Sequence, residues 1–90
     1  MEQINTQQAI YELTLALLYL NRFTEDNYGM KIERSWKGYD FDVLNHLEEL
    51  GYIFDGKRPS KTKSVYISQE GLDKAQEILK KYNIKDWNKK

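Results

Sequence analysis

The sequence predicts an α+β domain, with a three-helix core and a two- or three-stranded antiparallel sheet. Three observations carry that expectation. Apolar residues recur at helical spacing in three separate stretches. Two short runs rich in β-branched and aromatic residues flank a segment of turn chemistry. The chain has 90 residues, which is one domain's worth, so these pieces must share a single small core.

The first helix is expected from Thr6 to Phe23, with Asn5 or Thr6 as its N-cap. Ile10, Leu13, Leu17 and Leu20 form one stripe and Tyr11, Leu15 and Leu18 form another. A helix that is apolar on nearly all sides wants burial on both. The first stripe is assigned to the core. The second, with Trp87, is assigned to a homodimer or partner surface, unless the C-terminal helix covers it. Thr24 to Gly29 is polar and turn-like. Met30 to Lys37 alternates as a short strand does, with a short irregular helix as the competing reading.

A second helix is expected over Phe41 to Leu50. Asp40 is its N-cap and suits the positive end of the helix dipole. Leu44 and Leu47 face the core, and Gly51 stands where a left-handed residue ends a helix, followed by Tyr52. Tyr52–Phe54 and Ser64–Ile67 are the two strands of a hairpin. Asp55-Gly56, Pro59 and Ser60 supply its turn. Ser68 caps a last helix, Gln69 to Tyr82, whose core face is Leu72, Ala75, Leu79 and Tyr82. Residues 1–83 thus read as one domain and 84–90 as a polar tail.

Composition excludes several classes of function. Fourteen Lys and Arg balance fourteen Asp and Glu, so any surface for an anionic partner must be local. There is no cysteine, which removes disulfides, thiolate zinc sites and a cysteine nucleophile. A reducing cytoplasm suits that usage. The N-terminus shows no basic segment leading into an apolar one, as a signal peptide would. The most apolar run, Leu13 to Leu20, is far short of the roughly 20 residues of a membrane span. No phosphate-binding glycine loop, zinc-protease motif or serine elbow is present. His46, the single histidine, has Asp42 and Glu49 on its helical face, too thin a set for a metal or a general base. The sequence therefore reads as a binding protein without cofactor or metal, and not as an enzyme.

Leu44-Asn45-His46-Leu47-Glu48-Glu49-Leu50-Gly51-Tyr52-Ile53 resembles the recognition-helix segment of PadR-like and MarR-like regulators. Ser64-Val65-Tyr66-Ile67-Ser68-Gln69-Glu70-Gly71-Leu72 resembles their second wing strand and following helix. The resemblance implies a winged helix-turn-helix-like fold. Trp36-Lys37-Gly38-Tyr39-Asp40, with Ala16–Leu20, Lys61–Val65 and Glu70–Leu72, is similar to a bacterial domain family of unknown function, over roughly Leu13 to Leu79. That likeness implies a small bacterial protein and no particular activity.

Two function classes follow. In the first, a regulator-like protein binds double-stranded DNA. Lys57, Arg58, Lys61 and Lys63 hold phosphates from the hairpin tip, and Lys31, Arg34 and Lys37 extend the patch. Asn45 and His46 then contact the groove. Against this, Tyr39 to Leu50 carries four acids and no Lys or Arg. In the second class the domain is a protein-interaction module, using the acidic helix and the first helix. Trp36, Tyr39 and Phe41 are expected to pack a corner that sets the angle of the second helix; the competing reading makes them a partner anchor.

Overall fold

The computed structural model describes residues 5–27, 29–36, 38–54 and 64–85. Three helices lie on one side of a four-stranded antiparallel sheet, where two or three strands were expected. Chain order is α1 (Thr6–Leu20), β1 (Phe23–Asn27), β2 (Met30–Trp36), α2 (Phe41–Glu49), β3 (Ile53–Phe54), β4 (Ser64–Ile67) and α3 (Gln69–Lys81). Across the sheet the order is β1-β2-β4-β3.

The extra strand is β1, which sequence analysis read as a polar turn. Its five residues pair with β2 from Phe23↔Arg34 to Asn27↔Met30. A polar edge strand carries no alternating apolar signal, so periodicity could not show it. The turn into β2 includes Gly29 at φ +83°, a left-handed backbone position that glycine fills without steric cost. The three helices and the four-stranded antiparallel sheet are compatible with the winged-helix-like fold expected from sequence, and among the described residues a β-hairpin stands between α1 and α2.

Asn5 caps α1, its Oδ1 accepting the Gln7 N–H at 2.8 Å. The second apolar stripe of this helix is buried against α3, the alternative to a partner surface, and of the first stripe Leu20 packs on the core. Leu15 and Leu18, assigned to a partner surface, are buried in the chain's own core with Ala16 and Tyr19. Ile10, Leu13 and Leu17, assigned to the core, are 41–45% exposed. The reason is Glu12. It shares the inward face, and Lys81 Nζ and Tyr82 Oη of α3 bond its carboxylate at 3.0 and 2.8 Å. An apolar count penalises that face for the acid, whereas the fold neutralises the acid there.

Local signals in α2 are obeyed at both ends. Asp40 Oδ1 accepts the N–H groups of Asp42 (2.8 Å) and Val43 (3.3 Å). Gly51, at φ +81°, donates its N–H to Glu48 O, and the Tyr52 N–H reaches Leu47 O. That pair of bonds is a Schellman termination. α3 ends the same way with Asn83 at φ 57°, through Asn83 N–H to Lys80 O and Ile84 N–H to Leu79 O.

The turn after α2 is bolted to the start of α3. Ser68 Oγ donates to Gly51 O at 2.6 Å, lies 3.1 Å from Tyr52 O, and accepts the Gly71 N–H at 3.0 Å. Ser68 N–H bonds Tyr52 O as well. Gly71 sits so close that a Cβ there would overlap the Tyr52 carbonyl and come within 3.1 Å of Ile67 Cγ2. Beneath this junction Ile53, Val65 and Ile67 face Leu47, Ala75 and Ile78 in one buried cluster.

Gly71→Ala is therefore expected to lower stability by about 1–3 kcal/mol, the usual cost of forcing atoms into a packed site. Gly38→Ala, with nothing within 4 Å of its Cβ, is the matched control and should unfold as the parent does. Urea denaturation checks both, and equal midpoints for the two variants would contradict the close approach.

Candidate functional site

Side chains alternate across a strand, so the sheet has two faces. The inner face, with Ile53, Val65, Ile67 and Ser35, is buried. Register then decides the outer face. Phe54 lies opposite Tyr66, Tyr66 opposite Arg34, and Arg34 opposite Phe23. These four form one row across all four strands. Trp36, two residues along β2 from Arg34, shares their face.

The aromatics pair across strands: Phe23–Trp36 ring centroids are 5.0 Å apart and Phe54–Tyr66 5.9 Å. Such pairs stabilise a sheet by a few tenths to about 1 kcal/mol each, which is the plain reason for aromatics here. Pairing does not cover them, however. Trp36 is 60% exposed, Phe54 45% and Tyr66 37%. An exposed group of large aromatics on one face is the informative deviation in a domain this small.

Arg34 stands in the middle of the row. Its Nε donates to Ser64 Oγ at 2.9 Å and an Nη lies 3.4 Å from Ser64 O. Both partners are neutral, and among the described residues no carboxylate pairs with it. A guanidinium has five N–H donors, so donors remain for an incoming anion or base. Glu25 shares this face at the β1 edge, opposite Ile32.

The residues singled out from sequence are scattered. Lys57, Arg58, Lys61, Lys63, Lys37 and Trp87 lie outside the described residues. Asn45 is exposed on α2, beside exposed Asp42, Glu48 and Glu49. His46 is half-buried, its ring stacked on Tyr11 at 3.9 Å and 21°. Tyr11 and His46 thus join α1 to α2. Of the aromatic corner, Tyr39 alone packs on the core; Trp36 and Phe41 are open, Phe41 at 64%. Tyr39 points inward beside the Asp40 cap, whereas Trp36 belongs to the outer face of β2. Arg34, read from sequence as an extension of the basic patch, lies in the outer row, whereas Phe23, Phe54 and Tyr66 were not singled out. The available signal was that Phe54 and Tyr66 alternate with Ile53, Val65 and Ile67, which gives strands that are apolar on both faces.

Residues 6–85 match the family described as Domain of unknown function (DUF6429). The chain belongs to the DUF6429 family. It is also similar to the uncharacterized protein y4hR of Sinorhizobium fredii, 31% identical over 75 residues, which is 83% of this chain and 89% of that protein. No solved structure matches. In this DUF6429 chain the Trp36-Lys37-Gly38-Tyr39-Asp40 phrase places three different jobs side by side. Trp36 is on the open face, Tyr39 is against the core, and Asp40 caps α2.

Two other recesses exist among the described residues. One, of about 260 Å³, lies between the helices and is lined by Tyr11, Glu12, His46, Tyr52 and Lys74 among others. The other, of about 380 Å³, is lined by Asn21, Ser35, Trp36, Gly38 and Tyr39. Ser35 Oγ is buried there with no hydrogen-bond partner among the described residues. No group of three or more His, Cys, Asp or Glu among the described residues is arranged to hold a metal. No helix among them is long and apolar enough to cross a membrane.

Glu12 belongs to the helix junction. Burial pushes its carboxyl up, but hydrogen bonds from Gln8, Tyr82 and Lys81, with the Lys81 charge, outweigh burial and hold it below the ordinary glutamate value. The same bond raises the Tyr82 phenol. A carboxyl whose folded value is depressed stabilises the fold above its unfolded value, and that stability is lost as pH falls through the folded value. Glu12→Gln should cost about 1–3 kcal/mol at neutral pH. Its deficit against the parent should shrink on acidification, measured by urea unfolding at a series of pH values. A deficit constant down to acid pH would contradict the assignment.

Proposed function

We propose that this protein binds nucleic acid through the segment joining β3 to β4 together with the open face of the sheet, as a binding protein rather than an enzyme. One observation carries the reading. The chain leaves the exposed aromatic row at Phe54 and returns to the sheet at Ser64, and the residues between carry Lys57, Arg58, Lys61 and Lys63 against one acid, Asp55. In a chain of zero net charge this is a strongly local excess of cations. Cations clustered in sequence in this way are the chemistry of phosphate contact.

Groove reading by α2 is the less favoured route. Its open side offers Asp42, Glu48 and Glu49 to a duplex that is itself densely anionic, and His46 is occupied by Tyr11. A hairpin replaces the helix that would brace α2 against the backbone of DNA.

A second reading rests on α1. Ile10, Leu13 and Leu17 form an exposed stripe, and the one charged residue of the helix, Glu12, is turned inward. Two copies can meet on this stripe without like charges facing each other.

Fluorescence anisotropy with labelled random duplex and random single strands, at low and near-physiological salt, tests the first reading. Four phosphate contacts predict about a hundredfold weaker duplex binding for a fourfold rise in salt. Changing Lys57, Arg58, Lys61 and Lys63 to Ala should abolish binding. No binding even at low salt would sink the nucleic-acid reading. The α1 stripe would then be the working surface, and the protein should sediment as a dimer that Leu13→Lys splits.

A further inference from the structure

We infer that the open face of the sheet is a stacking platform for unpaired bases, so that the target of this protein is single-stranded nucleic acid. The inference rests on the nucleic-acid reading above and names its substrate class.

Phe54, Tyr66, Arg34 and Phe23 cross the four strands in one row, with Trp36 beside Phe23. At the usual strand spacing that row is about 14 Å long. A row of that length has room for two or three splayed bases. Every base has a π-face, so an exposed ring can take it without reading its edge. A duplex keeps its bases stacked inside the helix and offers these rings only phosphate and sugar. Exposed aromatics beside cations are therefore useful to a strand whose bases are free and nearly useless to a duplex. Arg34 fits both needs, since a guanidinium can pair with phosphate or lie flat on a base. Ser64 fixes two parts of that side chain and holds its charge at the centre of the row.

Charge separates this occupant from a second copy of the chain. A two-fold axis through the middle of the platform would bring two Arg34 guanidiniums together as water is excluded, which is unfavourable. A polyanion meets the same charge with attraction. The acidic outer side of α2 strengthens the contrast, because a strand laid across the sheet need not approach that helix.

The test uses the full chain with short oligo(dT), oligo(U) and a duplex of equal length. Trp87→Phe leaves Trp36 as the remaining tryptophan, so its fluorescence reports stacking directly. Single strands should bind more tightly than duplex and quench Trp36. Trp36→Ala and Tyr66→Ala should each weaken single-strand binding by roughly five- to a hundredfold and leave the weak duplex binding unchanged. Trp36→Phe should restore most of the loss. Both positions are exposed, and an unchanged far-ultraviolet circular dichroism spectrum confirms that each variant folds. Oligo(dU) set beside oligo(U) differs only in the 2′-hydroxyl, so the ratio of those two affinities tells whether the strand is DNA or RNA.

Equal affinity for duplex and single strands, with Trp36→Ala silent and the four-cation variant inactive, would overturn the platform and leave the nucleic-acid reading standing. Absence of binding to any nucleic acid would overturn both. A Trp36→Ala change that alters sedimentation but not binding would overturn the platform in favour of self-association.

Discussion

Gly71 brings the first turn of α3 against the Tyr52 carbonyl, and the arrangement of the layers follows from that approach. No other side chain fits between the helix and the turn after α2. Ser68 then satisfies the carbonyls of Gly51 and Tyr52 that the turn would leave bare, and caps α3 with the same oxygen. One end of α2, one end of β3, one end of β4 and the N-terminus of α3 are fixed by these few atoms. The short strands β3 and β4 thereby keep the register Ile53↔Ile67, which sends Ile53, Val65 and Ile67 toward the helices and Phe54 and Tyr66 away from them. A slip by one residue would exchange the faces and bury the wrong set.

From this the open face follows. Three helices are enough to cover one side of a four-stranded sheet, and in the described residues nothing covers the other. An antiparallel sheet tolerates a wet face, which is usually polar. Here the centre of that face is aromatic with a cation in it. The chain is electrically neutral as a whole but not in its parts: the segment joining β3 to β4 is basic and the outer side of α2 is acidic. That segregation distinguishes the sheet side from the α2 side as a place for an anionic polymer.

How much of this was legible depended on whether the signal was local. Asp40 and Gly51 bound α2 and Ser68 starts α3; capping is a nearest-neighbour interaction, and each of these was readable from a few adjacent residues. β4 was readable because its residues are β-branched or aromatic. β1 was not, because Phe23-Thr24-Glu25-Asp26-Asn27 becomes a strand by pairing with β2 and not by its own preference. The orientation of α1 stayed open between two readings because two stripes compete there. Only the distant partners Lys81 and Tyr82 show that Glu12 faces in. Gly71 and the aromatic row depend on residues far apart in sequence, Tyr52 with Gly71 and Phe23 with Arg34, Tyr66 and Phe54, and no local pattern contains them.

The central claim is that the working surface is the open face of the sheet and not α2 or α1. The most direct measurement is a nitrogen–proton correlation spectrum of labelled protein during addition of a short single strand. The account predicts that the amides that move are those of β2, β3 and β4 around Arg34, Trp36, Phe54 and Tyr66, together with the indole of Trp36. Shifts confined to Asn45 and its neighbours on α2, or to Leu13 and Leu17 on α1, would contradict it.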